Sequence, residues 1–180
     1  MLEKGFEATA IDEMCEQAGV AKGTFFYHFK NKEELARATV EYHMQLGAAM
    51  LGSAPFWKSR DPLKRLLGYI DFTIGSINDP VQDGCLLGVL SGEVASSHPA
   101  IISTCGTGFA GWTASLSDLI EESRKKYAPR SKIKSESLAK LFISTFEGAL
   151  ILAKATGDTE VMKSALGHYK KYVQQLFTAN

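Results

Sequence analysis

The chain contains 180 residues, of which 45% are hydrophobic and 22% charged, so its composition is that of an ordinary globular protein rather than a disordered or fibrous one. Twenty basic residues balance twenty acidic residues, and the net charge therefore gives no indication of a nucleic-acid partner. The three cysteines are widely spaced, and the sequence has no CxxC pair, no signal peptide and no apolar run of membrane-spanning length. These features predict a reduced, cytoplasmic protein that does not enter a membrane.

Two short helices separated by a glycine turn are predicted near the N-terminus. The first should begin at Thr9, which together with Asp12 resembles a capping box, and should end at Gly19. The second covers residues 22–29. Both helices are too short to be stable alone in water, so each must pack against the other. The order of helix, turn and helix is typical of a helix-turn-helix, in which the second helix enters the major groove of DNA.

The rest of the chain predicts longer amphipathic helices, because apolar residues recur at helical spacing between recognisable start and stop signals. Asn31 should cap the first of these helices, Asp61 with Pro62 should begin the second, and Asn78-Asp79-Pro80 should end it. The expected helices cover residues 32 to about 51, 62–77, 85–95, 99 to about 127, and two segments that start near Leu138 and Met162, with a polar loop at 128–134. The predicted fold class is all-α.

Four runs at fixed spacing resemble the tetracycline-repressor family of transcription regulators: Gly5–Thr9, Ala18–Thr24, Tyr27–Phe29 and Lys32–Leu35. The resemblance implies a helix-turn-helix DNA-binding domain at residues 1–47. It also implies a domain at residues 48–180 that binds a small-molecule effector and forms a homodimer through its last two helices. The alternative for those two helices is that they close the core of a monomer.

The resemblance further implies which residues meet double-stranded operator DNA. Those expected near bases or phosphates are Lys22, Gly23, Thr24, Tyr27 and His28 on the second helix, and Lys32 at a phosphate. The sequence departs from the family at Ala21, where a capping Ser or Thr is common, and at Phe26, where a tyrosine hydroxyl often contacts phosphate. Residues 1–47 hold five Lys or Arg against eight Asp or Glu, so we expect ordinary rather than tight DNA binding.

A second, looser resemblance concerns the sensing domain. Gly84–Gly88 and Glu147–Leu150 resemble family members that respond to reactive electrophiles or small acids, and the candidate ligand residues are Cys85, Phe109, Trp112, Phe142, Phe146 and Glu147. The alternative is that Cys85 is buried and inert and that the aromatic residues belong to the core. Glu93 and His98 are further polar candidates, more typical of solvated or capping residues.

Other chemistries find no support in the sequence. Gly106–Gly111 matches the dinucleotide-binding GxGxxG pattern, but it lies in a predicted helix rather than after a strand, and no acidic residue follows at the required distance. We therefore expect no nucleotide cofactor and read these glycines as sites of close approach. The chain also has no catalytic or metal-binding motif.

The start of the chain differs from the family pattern. Family members carry a full helix before the Gly5-Phe6 turn, whereas only Met1–Lys4 precede it here, so we expect the first helix of the module to be truncated. Met1 is interpreted as an internal methionine, and the natural product is expected to begin about 15 to 25 residues upstream. Without that helix, we expect mobility in the first 45 or so residues and reduced burial of Phe6, Ile11, Val20, Phe25 and Phe29.

Together these features predict a ligand-responsive repressor rather than an enzyme. A small apolar or electrophilic molecule would bind the C-terminal domain and release the protein from a palindromic operator. The alternative is a helical small-molecule-binding dimer whose DNA binding is lost or impaired.

Overall fold

A computed structural model describes residues 1–77 and 84–178, and in these ranges the chain forms helices, turns and loops without any strand. The prediction of an all-α fold is confirmed. The helices are α1 (Ile11–Ala18), α2 (Lys22–His28), α3 (Lys32–Gly52), α4 (Pro62–Ser76), α5 (Leu86–Val94), α6 (Pro99–Tyr127), α7 (Ser135–Thr156) and α8 (Glu160–Thr178), with a short 3₁₀ helix at Pro55–Lys58. The expected stop signal at residues 78–80 lies outside the described residues.

The chain divides into two compact units. The first comprises Met1–Gly47 and Cys85–Phe109, and the second comprises Ala48–Gly84 and Ala110–Asn180. The end of the first segment coincides with the boundary expected at residue 47, but α5 and the beginning of α6 also belong to the first unit. The division into functional domains at 1–47 and 48–180 therefore stays a prediction.

The first unit is built around the two short helices. α1 ends at Gly19, whose φ of 66° is left-handed and lets the turn donate backbone hydrogen bonds to Cys15 and Glu16. The predicted capping box at Thr9 is wrong: the Thr9 hydroxyl instead donates to the carbonyl of Gly5 at 2.6 Å, and Ala10 precedes α1 without a side-chain cap. The predicted cap of α3 is confirmed, since Asn31 Oδ1 accepts from the Glu34 N–H at 2.8 Å.

Burial in this unit differs from the sequence-based expectation. Phe6 and Phe25 are only 2% and 7% exposed, whereas Val20 is 42% exposed and Ile11 and Phe29 are partly exposed. The expected loss of burial is therefore wrong for the first two residues and confirmed for Val20. Lys32 and His98 explain the burial of Phe6, because the Lys32 ammonium lies 4.4 Å from the Phe6 ring centre and the His98 ring lies 4.6 Å away.

The second unit contains α7 and α8, which pack against each other, and α4, which packs against α8. The hydroxyl of Tyr169 donates to the carbonyl of Leu138 at 2.9 Å and so joins α8 to α7. Asp61 caps α4 by accepting from the Lys64 N–H at 2.9 Å, as the sequence predicts. It also pairs with Lys126 and Tyr127, and these hydrogen bonds hold the pKa of its carboxyl well below the usual range.

Candidate DNA interface and effector site

Helix α2 is anchored by one face. Phe25 is buried, and its ring makes an edge contact with Phe26 and a tilted contact with Phe29 at centroid distances of 5.1 and 5.8 Å. The departure at Ala21 has the expected consequence, because no side chain caps the start of α2. The helix is therefore positioned by packing against its neighbours rather than by its own capping.

The opposite face of α2 is open to solvent. All five residues predicted to meet DNA from this helix are exposed: Lys22, Gly23, Thr24, Tyr27 and His28. Tyr27 is 84% exposed and its ring lies edge-on to that of His28. A Cβ atom added at Gly23 would have no neighbour within 4 Å, so this side of the helix can approach another surface closely.

Lys22 has an acidic neighbour. Its ammonium lies 2.7 Å from Asp12, and the two side chains are 57% and 73% exposed. A pair this exposed contributes little to stability, so the lysine can exchange Asp12 for a phosphate at small cost.

Lys32 makes contacts that the sequence did not predict. Its ammonium donates to the carbonyls of Phe6 and Glu7 at 2.8 and 3.3 Å, in addition to its contact with the Phe6 ring. An ammonium has three donors, so one N–H remains for a phosphate. The expected phosphate contact stays a prediction, but holding the turn of residues 5–7 is a role that the sequence did not reveal.

Glu93, which the sequence offered only as a polar candidate, has a role that sequence reasoning did not predict. Its carboxylate accepts from the backbone N–H groups of Phe6 and Glu7 at 2.6 and 2.9 Å. Gly5 precedes them with a φ of 80°, and a Cβ atom there would lie 2.4 Å from Glu93 Oε2. The glycine is therefore required by both backbone conformation and space. Gly5 was a detectable signal, but nothing in the sequence named its partner.

Three of the predicted ligand residues lie together in the second unit. The rings of Trp112, Phe142 and Phe146 are within 5.3 to 6.4 Å of one another. Tyr69, which the sequence did not single out, joins them by accepting a hydrogen bond from Trp112 Nε1 at 2.6 Å. Burial raises the pKa of Tyr69 to about 12, so its hydroxyl stays protonated at neutral pH. The cluster is an apolar site with one part-buried polar pair.

The other predicted ligand residues are divided between the two units. Glu147 belongs to the second unit with the three rings, whereas Cys85 and Phe109 belong to the first unit. Cys85 stands at the start of α5 and is buried, as are Cys15 and Cys105. Burial raises the pKa of the Cys105 thiol. These positions favour the alternative in which the cysteines are packing residues.

The first unit also has an open apolar cleft of about 270 Å³, lined by Met1, Leu2, Met14, Thr39, Tyr42, His43, Leu46 and Leu86. None of the predicted ligand residues lines it. Burial lowers the pKa of His43.

Two further properties concern the described residues. In the part of the chain that the structure describes, no three His, Cys, Asp or Glu side chains come together as a metal site. Of the helices at 1–77 and 84–178, none is both long and apolar enough to cross a bilayer.

The Gly106–Gly111 run lies inside α6, and Gly108 is where Leu87 and Met44 approach: a Cβ atom there would lie 2.4 and 2.8 Å from them.

An all-helical chain with an anchored, outward-facing second helix defines the class of helix-turn-helix transcription regulators. The family of bacterial regulatory proteins named tetR matches residues 1–39, and the tetracyclin repressor-like C-terminal domain matches residues 62–169. The second match alone covers more than half of the chain. The chain therefore belongs to the tetR family of regulators.

Individual relatives agree with this assignment. The chain is 26% identical to the transcriptional repressor NemR of Escherichia coli over 178 residues, which are 96% of this chain and 87% of that protein. It is 28% identical to the transcriptional regulator AcuR of Cereibacter sphaeroides over 159 residues, 86% of this chain and 71% of that protein. The crystal structure of the reduced form of E. coli NemR superposes with a TM-score of 0.81 at 26% identity, covering 94% of this chain and 89% of that one.

Proposed function

We propose that the chain is a ligand-responsive repressor that reads its operator with α2. The observation that carries the proposal is the two-sided character of this helix: Phe25 anchors one face, while Thr24, Tyr27 and His28 project from the other. Hydroxyl and imidazole groups on an exposed recognition helix are suited to base edges and phosphates. NemR, which matches nearly the whole chain, is itself named a repressor.

We also propose that the protein binds a palindromic operator as a homodimer. A homodimer presents two copies of α2 and therefore reads a palindrome whose half-sites are about 35 Å apart, one turn of DNA. An effector that binds the released conformation better than the DNA-bound one, by about 1 to 3 kcal/mol, provides a modest switch.

The DNA contacts are tested by salt dependence and sequence choice, using a duplex that the protein selects from a randomised pool. Lys32→Ala is expected to weaken binding to all sequences and to lower the salt slope by about one charge, because a phosphate contact is lost. Thr24→Ala and Tyr27→Phe are expected to change sequence preference instead. Lys132→Ala, an exposed lysine in the 128–134 loop, controls for net charge.

The salt slope separates the two roles of Lys32. A fall in affinity without any change in slope would mean that Lys32 only holds the turn of residues 5–7. Unchanged affinity, unchanged slope and unchanged sequence preference in all three variants would contradict the placement of α2 on DNA.

The dimer is proposed to form through α7 and α8. These helices expose apolar side chains on faces that the chain itself leaves uncovered: Leu141, Ile151, Leu152 and Tyr172 are 44%, 68%, 55% and 44% exposed. On α7, Leu141, Gly148 and Leu152 lie seven and four residues apart, which places them along one stripe. A contiguous apolar face of this kind is typical of an interface between subunits.

Ile151→Lys is expected to convert the dimer into a monomer, because it places a charge among the exposed apolar side chains of the proposed interface. The folded monomer should keep its stability within about 0.5 kcal/mol, since the side chain is largely exposed there. Sedimentation equilibrium measures the association, with Ser115→Lys on the exposed surface of α6 as the control. A dimer of unchanged affinity in Ile151→Lys would place the interface elsewhere.

The effector is proposed to be a small apolar molecule that binds at Trp112, Phe142 and Phe146, with the Tyr69 hydroxyl as a polar contact. Pockets of this kind are mostly apolar with a few oriented polar groups. The rings now contact one another, so a ligand has to separate them. A reactive electrophile that modifies Cys85 is the second candidate, favoured only by the position of this residue at the start of α5.

Thiol labelling separates the two effector classes. Because Cys15, Cys85 and Cys105 are 6%, 9% and 0% exposed, we expect N-ethylmaleimide to label all three slowly in the native protein and without loss of DNA binding. Mass spectrometry of digested samples measures each rate, with the urea-unfolded chain as the reference. Rapid, selective labelling of Cys85 that releases DNA, and that Cys85→Ser abolishes, would favour the electrophile.

A further inference from the structure

The turn at Gly5–Glu7, which leads into α1, is held through both its backbone N–H groups and its backbone carbonyls. The Glu93 carboxylate of α5 accepts the N–H groups of Phe6 and Glu7, and the Lys32 ammonium of α3 donates to the carbonyls of the same two residues. We call these four hydrogen bonds the turn clamp. They fix the backbone just before the helix-turn-helix, so the position of α1 and α2 depends on them.

The two side chains that form the turn clamp, Lys32 and Glu93, differ in where they lie in the sequence. Lys32 stands at the start of α3, close in sequence to the helix-turn-helix, and moves with it. Glu93 lies 86 residues or more away from its partners and belongs to another helix. Hydrogen bonds to a carboxylate are stronger than those between neutral groups, and an N–H that loses its partner in a part-buried site is left unsatisfied.

Helix α5 is short, and buried side chains anchor it along its length. It covers nine residues, or about 14 Å at 1.5 Å per residue. Leu86, Leu87, Leu90 and Val94 are buried. Leu87 of α5 and Met44 of α3 both lie close to Gly108 of α6. Helix α5 therefore packs against both long helices of the unit. Cys85 precedes α5 at one end, and Glu93 lies near the other.

We propose that Glu93 is a positioning residue for DNA binding, through which α5 sets the orientation of the helix-turn-helix. A shift of α5 by about 1 Å lengthens both of its hydrogen bonds beyond the usual range, so the N–H groups of Phe6 and Glu7 lose Glu93 and the turn is held by Lys32 alone. The inference rests on the proposed DNA-binding function and names the contact by which a change within the first unit reaches α2. Glu93 does not touch DNA in this scheme.

In Glu93→Gln, the loss of a negative charge and the loss of the Glu93 hydrogen bonds are expected to change DNA affinity in opposite directions. Removing an acidic residue by itself raises affinity for DNA through long-range electrostatics. Glu93→Gln is nevertheless expected to lower affinity for the selected duplex about tenfold, because its amide cannot accept both N–H groups as the carboxylate does. Glu41→Gln, an exposed carboxylate of α3 in the same unit, removes the same charge and should leave affinity equal or slightly higher.

Hydrogen exchange supplies a readout that a purely structural role would not move. In the unaltered chain, binding of the selected duplex should slow exchange of the amides of α5 as well as those of Phe6 and Glu7, since coupling is reciprocal. In Glu93→Gln the duplex should protect α2 but no longer α5, and exchange at Phe6 and Glu7 should rise at least tenfold without DNA. Glu41→Gln should behave like the unaltered chain.

Several results would overturn the inference. Tenfold weaker binding is expected, so equal affinity of Glu93→Gln and Glu41→Gln contradicts it. Protection of α5 by the duplex that persists in Glu93→Gln contradicts it as well. Should the variant fail to fold, exchange in the unaltered chain decides alone, because a duplex that leaves α5 unprotected rejects the coupling while DNA binding itself stands. If no duplex can be selected at all, both this inference and the proposed function fail.

Discussion

The first unit depends on keeping two very short helices in place. α1 and α2 have eight and seven residues, lengths at which an isolated helix is unstable in water, so their geometry has to come from tertiary contacts. Apolar burial of Phe6 and Phe25 supplies part of it. The turn clamp contributes as well, because it fixes the backbone that leads into α1. Whatever α2 does on DNA follows from these contacts rather than from the helix itself.

This dependence explains why the unit that contains the helix-turn-helix is not a continuous stretch of sequence. Residues 85–109 complete it, bringing Glu93, His98 and the buried leucines of α5. A regulator has to transmit a change outside its DNA-reading helix to that helix. We expect a module that needs α5 for its stability to suit this task, because a movement of α5 would alter the module directly.

Much of the fold could be predicted from local signals. The start of α4 at Asp61-Pro62, the cap at Asn31 and the bounds of α6 at Pro99–Tyr127 all follow from capping residues, proline and apolar periodicity. The exposed face of α2 followed from the family resemblance. These features are encoded within a few residues of where they occur, and they could therefore be found without the structure.

The features that sequence reasoning missed are side-chain contacts, most of which join residues far apart in the sequence. Thr9 looked like a helix cap, but its hydroxyl bonds to Gly5; Lys32 looked like a phosphate ligand, but its ammonium also meets Phe6. Tyr69 carried no signal, since its meaning lies in a hydrogen bond to Trp112, 43 residues away. Periodicity identifies which residues are buried, but not which buried or polar groups meet.

The central claim is that residues 85–109 hold the DNA-reading helices in place. The most direct test is the far-UV circular dichroism of the fragment Met1–Gly47, compared with that of the full chain, as temperature is raised. The fragment should show little helix and no cooperative transition, because Phe6 and Glu7 have lost Glu93 and His98. A fragment that melts cooperatively and binds the selected duplex as tightly as the full chain would contradict the claim.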